Sequence, residues 1–201
     1  MAFSASWQMD LRQEQQQWWT RWQEGRIGFH LSEVNPLLIR HIHSLATNTH
    51  PNERSCILVP LCGKSKDLIW LQSHFHQVIG VELVTQAVKA FFEESKITPT
   101  YSLRDPFATY QHGNLALLQG DIFQMSSKHL EDQPIQAIFD RASLIALPNR
   151  LWKNYVELFC SLVFPSAKLL LVTLAYEEGV ISGPPHSIPE NKIFELFAFT
   201  T

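Results

Sequence analysis

Four short segments, each just after an apolar run, carry residue types that can hold a small polar ligand. The first is Pro60-Leu61-Cys62-Gly63-Lys64-Ser65-Lys66-Asp67. Its glycine can let backbone amides approach a ligand ahead of a helix, although a plain strand-to-helix connection has the same form. Gly63-Lys64-Ser65 does not complete a nucleotide triphosphate loop, because the glycine required five positions earlier is Leu58. A dinucleotide fingerprint fails too, for want of a second and third glycine. In the second segment, Val78-Ile79-Gly80-Val81-Glu82-Leu83, Glu82 stands nineteen positions beyond Gly63. A carboxylate there can accept two hydrogen bonds from ribose hydroxyls, or it can be an acid favoured at a helix start. In the third, Gly120-Asp121-Ile122-Phe123, Asp121 can receive an adenine amino group with Ile122 packed on the ring, or it can cap a helix. The fourth, Phe139-Asp140-Arg141-Ala142-Ser143-Leu144, offers Arg141 as a permanent cation for an anionic ligand or as the partner of a surface acid. Asp140 and Arg141 are neighbours on a strand, so they point to opposite faces and do not pair naturally with each other.

Other reactive residue types lack the spacing their chemistry requires. His41 and His43 lie two apart on a helical stretch and face different directions, while His74 and His76 flank a strand start without an acidic neighbour. The nine histidines therefore read as surface or boundary residues, with no metal site among them. Cys56, Cys62 and Cys160 show neither CxxC nor zinc spacing and read as reduced thiols in or near the core. Trp18, Trp19 and Trp22 form either an aromatic wall beside a substrate or plain core.

The elements that position these segments follow from periodicity. Residues 7–24 carry Trp7, Leu11, Trp18 and Trp22 at helical spacing and stop at Gly25. A second helix starts near Pro36, with Leu37, Leu38, Ile42 and Leu45, ahead of the polar, turn-like segment 47–54. Strands at 56–61, 77–83, 115–118, 137–140 and 168–174 then alternate with helices at 66–75, 85–94 and 150–163, while 98–113 reads as a long connection over the sheet. Repeated strand-helix-strand units specify a doubly wound α/β fold, a mainly parallel sheet with helices on both faces. Ligands bind outside the carboxyl ends of such strands, where the four segments lie. One domain over residues 1–201 is expected, with 1–50 a helical cover over the site and 55–201 a Rossmann-like core.

Composition narrows the partners. The chain of 201 residues is 45% hydrophobic and 17% charged, enough for one sizeable core. A formal net charge of -3 with scattered Lys and Arg speaks against a nucleic-acid partner. Residues 1–17 lack the apolar core of a signal peptide, and the longest apolar stretch, 169–176, is interrupted by Thr173 and too short to span a bilayer. A cytoplasmic chain without a membrane partner is expected.

Taken in order, the segments resemble the thiopurine S-methyltransferases, a family among the class I S-adenosylmethionine-dependent methyltransferases. The marks are Trp18 and Trp22 followed by Gly28-Phe29-His30, then Pro60-Leu61-Cys62-Gly63-Lys64, Gly80-Val81-Glu82, Asp140-Arg141 and Gly183-Pro184-Pro185. The ordered set is specific, since the Pro-Leu-Cys-Gly-Lys turn replaces the glycine-rich turn of most methyltransferases. The resemblance implies that Trp22, Leu61, Glu82, Ile122 and Arg141 contact S-adenosylmethionine. It also implies that Arg141 lies near the substrate, and that Phe29 and the Gly183-Pro184-Pro185 loop form the substrate wall. The implied reaction is direct in-line methyl transfer to the sulfur of a thiopurine or another aromatic or heterocyclic thiol, in a monomer, with no general base assigned. Two alternatives stay open: methylation of selenium or tellurium compounds, and a non-catalytic relative. Methyltransferases of this class end their sheet with an antiparallel hairpin after the helix begun by 190–197. Because the sequence stops at Thr201, that hairpin is expected to be missing and strand 168–174 to present an unpaired edge.

Overall fold

Successive side chains of a strand point to opposite faces, and in this chain both faces of the short apolar strands are buried, as a parallel sheet covered on two sides requires. The computed structural model describes residues 5–46, 55–130, 135–177 and 179–198, with side chains from Leu11 onward. The turn-like segment 47–54 and the side chain of Trp7 lie outside the described residues. Helices α1 (Ala5–Gln23) and α2 (Pro36–Ala46) precede β1 (Cys56–Val59), α3 (Asp67–Leu71), β2 (Gln77–Glu82) and α4 (Thr85–Ser95). Next come β3 (Thr100–Arg104), β4 (Phe107–His112), β5 (Leu115–Gln119), β6 (Ile135–Arg141), α5 (Asn149–Leu162), β7 (Val163–Val172) and α6 (Glu190–Phe197).

The seven strands form one sheet in the order β3-β4-β5-β2-β1-β6-β7. The run from β5 through β7 is parallel. On one face, Ile57, Val59, Val78 and Leu117 pack against Leu38 and Ile42 of α2, Leu68 of α3 and Phe91 of α4. On the other, Cys56, Leu58, Ile79 and Ile138 pack against Tyr155, Val156 and Phe159 of α5 and Leu196 of α6. The doubly wound architecture expected from the sequence is the one observed. Strand order reverses between β2 and β6 on either side of β1, which makes the carboxyl end of β1 the topological switch point.

Segment 98–113 departs from the expectation. It is not a loose connection but the antiparallel hairpin β3–β4, added to the sheet through β4 and β5. An edge hairpin needs no continuous apolar run. Tyr101 and Leu103 of β3 are exposed, and only Phe107 and Thr109 of β4 are buried. β7 lies at the opposite end of the described sheet, with Leu169 and Leu171 on one core and Leu170 and Val172 on the other. Cys56 and Cys62 are buried free thiols as expected, whereas Cys160 is exposed. No described helix is long and apolar enough to cross a membrane.

Candidate active site

The turn after β1 is shaped by backbone conformations that few residues tolerate. Leu61 has φ +44° and Gly63 φ +55°, both in the left-handed region. A Cβ on Gly63 would also stand 3.3 Å from the Trp22 ring, so glycine is what lets the indole lie against the turn. Glu82, at the end of β2, holds the turn in place. Its carboxylate accepts the Gly63 N–H at 2.8 Å and the Val84 N–H at 2.7 Å, and the residue is 6% exposed. Burial pushes the Glu82 pKa up to about 7, while those backbone donors pull it down. Each carboxylate oxygen keeps a further lone pair for a ligand.

Asp121 follows β5 and does what its helix-cap reading asked. Its carboxylate accepts the Phe123 N–H at 3.0 Å at the start of a short 3-10 turn, Ile122–Gln124. The second oxygen accepts the Gln15 side-chain N–H of α1 at 2.9 Å, so it also faces the cleft. Burial raises the Asp121 pKa, opposed by these hydrogen bonds.

At the end of β6 the two neighbours part as the strand geometry demands. Asp140 turns inward, accepting Tyr155 Oη–H at 2.9 Å and the Leu144 N–H at 3.1 Å. It is 1% exposed, and burial lifts its pKa to about 6. Its two oxygens accept from core groups, and it lines neither cleft described below. Arg141 turns outward and is half-buried. Ala142 then takes φ +62°, a left-handed turn costly for a residue with a Cβ, and buried Ser143 donates to the Pro60 carbonyl at 2.7 Å. That bond joins the turn after β6 to the turn after β1.

These turns line two adjoining clefts. The first, of about 80 Å³, is lined by Trp22, Phe29, Leu61, Glu82, Asp121 and Ile122, together with Leu11, Glu14 and Gln15. The second, of about 390 Å³, is lined by Arg141, Arg21, Arg26, Phe29, Pro184 and Pro185. Trp18 and Phe29 line both and meet edge to face at 5.9 Å. Of the residues singled out in the sequence, Trp22, Leu61, Glu82 and Ile122 thus share one cleft with Phe29, and Arg141 stands on the other side of the aromatic wall.

The supporting residues were not legible in the sequence. Buried Asp67 accepts the Asn35 N–H and the Ser65 hydroxyl, both at 2.7 Å, and Asn35 caps α2 through the Leu37 N–H at 2.9 Å. These contacts anchor the segment that carries Phe29 into the wall. Asp67 also opposes the fall in Arg141 pKa that burial causes. The Pro184-Pro185 segment is tied down by His186 N–H to the Ile145 carbonyl at 2.7 Å and by mutual Ser187–Tyr176 bonds. Only Leu11, through the helical apolar stripe, had a signal; Glu14 and Gln15 sit in a polar run without a pattern.

Comparison with known proteins bears on the family and on the fold. The family model described as thiopurine S-methyltransferase (TPMT) matches residues 13–201. A thiopurine S-methyltransferase of Vibrio atlanticus is 44% identical over 182 residues, covering 90% of this chain and 80% of that protein. One from Pseudomonas fluorescens is 43% identical over 180 residues, with the same coverage. Among solved structures, a Burkholderia thailandensis 1,6-didemethyltoxoflavin-N1-methyltransferase with bound 1,6-didemethyltoxoflavin and S-adenosylhomocysteine superposes with a TM-score of 0.63 at 12% identity, over 100% of this chain and 80% of that one. A TehB-like methyltransferase from Corynebacterium glutamicum gives 0.55 at 10% identity, over 94% and 83%. Likeness at those identities speaks to the fold.

Proposed function

The chain belongs to the thiopurine S-methyltransferase family and is an S-adenosylmethionine-dependent methyltransferase, and on that premise we propose that it methylates the sulfur of a small aromatic or heterocyclic thiol. The observation that carries this reading is the wall of Trp18 and Phe29, shared by both clefts. A donor in the first cleft and an acceptor in the second would meet at that wall, oriented and shielded from water.

The residues of the first cleft fit the cofactor. Glu82 keeps lone pairs for two ribose hydroxyls, Ile122 offers an apolar surface to the adenine, and Asp121 an acceptor for its amino group. Trp22 and Leu61 complete the lining. When bound, S-adenosylmethionine supplies an electrophilic methyl group on its sulfonium sulfur. The chain's own part is electrostatic and geometric. Arg141, Arg21 and Arg26 are the charged groups lining the second cleft, with no carboxylate among its lining residues. Arg26 is paired with Glu24, and the field of Arg141 and Arg21 stabilises a thiolate over a thiol, so an acidic aromatic thiol needs no general base. Phe29, Pro184 and Pro185 hold the ring that bears the sulfur.

A thiol and its oxygen counterpart separate this reading from others. The protein is expected to methylate 6-mercaptopurine and to leave hypoxanthine unmodified, and Arg141→Lys, which keeps the charge and loses the planar fork, should lower kcat/KM by roughly 10- to 100-fold with little change in Tm. Equal rates on the two purines would contradict sulfur selectivity. A parallel loss of Tm and activity would make Arg141 structural.

Glu82 adds a pH dependence whose sign follows from its raised pKa. A carboxylate near 7 is largely protonated below that pH in the free protein, whereas ribose hydroxyls favour the ionised form. Binding must then release a proton, so affinity for S-adenosylhomocysteine should rise as pH increases towards 7, by up to about tenfold per unit, and level off above about 8. Calorimetry in buffers of different ionisation enthalpy reads the released proton; pH-independent affinity between 5.5 and 8 would show that Glu82 does not meet the ligand.

A further inference from the structure

The end of the first cleft formed by α1 contains a group that the family resemblance does not account for. Leu11, Glu14 and Gln15 of α1 all line this cleft, and none of them is among the residues through which the resemblance assigns cofactor contacts. Leu11 is buried in the core cluster shared with Ile122 and Leu151, which fixes this part of α1 over the cleft. Glu14 is held by Arg150 at 3.0 Å. Gln15 donates one Nε2 hydrogen to Asp121 Oδ2 at 2.9 Å, and Asp121 Oδ1 is in turn held by the Phe123 N–H at 3.0 Å. The carboxamide is thereby oriented while its chemistry is only partly used: the second Nε2 hydrogen and the Oε1 lone pairs have no partner among the described residues.

A carboxamide presenting one donor beside one acceptor is complementary to an adenine edge, which offers an amino donor beside a ring-nitrogen acceptor. Hypoxanthine carries a carbonyl oxygen in place of that amino group and a hydrogen on N1, so its N1 edge offers the opposite pattern and its N7 edge two acceptors. We infer that Gln15 reads the base of the cofactor, its Oε1 accepting from the adenine amino group and its free N–H donating to the neighbouring ring nitrogen while Asp121 holds the other. The inference rests on the cofactor reading above and extends it to a specificity-determining residue supplied by α1. Asp121 then acts as the anchor that keeps the Gln15 amide plane fixed.

The test compares S-adenosylhomocysteine with its deaminated analogue S-inosylhomocysteine by calorimetry, using the full chain and a Gln15→Leu variant. Leucine preserves helix propensity while removing the amide, so α1 should keep its place, which the melting temperature verifies. The unsubstituted protein is expected to prefer the adenosyl ligand by more than tenfold, and Gln15→Leu to shrink that ratio by roughly three- to tenfold by weakening the adenosyl ligand alone. Equal weakening of both ligands would make Gln15 a latch for α1 and overturn the inference, as would no change for either. Failure of the unsubstituted protein to bind S-adenosylhomocysteine would overturn the cofactor reading itself, and this inference with it.

Discussion

Glu82→Ala is expected to lower affinity for S-adenosylmethionine by roughly a hundredfold or more, because two ribose hydrogen bonds to a charged acceptor disappear together, at about 1.5–3 kcal/mol each before any relaxation. The loss has a second source within the protein. Gly63 N–H and Val84 N–H both donate to this carboxylate, so alanine leaves two buried donors unsatisfied and frees the turn that brings Leu61 and Gly63 to the cleft. Glu82→Gln separates the two contributions, since its single carbonyl oxygen can satisfy only part of the donor set while keeping the shape. Titration should give the order wild type, then Gln, then Ala. Wild-type affinity in the alanine variant would remove Glu82 from the ligand site.

The second large effect belongs to a residue that touches no ligand. Asp140→Ala strands the buried Tyr155 hydroxyl and the Leu144 N–H, and two such unsatisfied groups cost about 2–5 kcal/mol. For a chain of this size that corresponds to a fall in Tm of roughly 5–15 °C. Activity measured well below the new Tm should still be reduced, because the same carboxylate holds the turn in which Ala142 sits at φ +62° and from which Arg141 projects. Asp140→Asn retains an acceptor and should recover most of both. A stable, inactive Asp140→Ala protein would instead place this carboxylate in the chemistry.

Glu82, Ile122 and Arg141 were legible in the sequence for one reason: each ends an apolar run, and a parallel sheet places such ends on one rim. The parallel strands were legible because continuous burial leaves continuous apolar runs, as in Cys56–Val59. The β3–β4 hairpin was not, because one of its strands is exposed and the other alternates only weakly, so Tyr101, Leu103 and Phe107 do not stand out from a loop. The Asp140–Tyr155 and Asp67–Asn35 pairings depend on which elements become neighbours, information that no local pattern carries. Gln15 is an extreme case: it stands in a run of Gln and Glu, and only the seating of α1 across the rim distinguishes it from Gln13, Gln16 and Gln17.

The measurement that bears most directly on the central claim is a single-turnover reaction between the protein, S-adenosylmethionine carrying a 13C-labelled methyl group, and 6-mercaptopurine, with the product read by carbon NMR. The label is expected at the chemical shift of an S-methyl thioether, in one equivalent per site, with S-adenosylhomocysteine formed in the same amount. A protein that binds the cofactor in a Glu82-dependent manner yet leaves the label on it, or delivers it to ring nitrogen, would contradict sulfur methylation at these clefts.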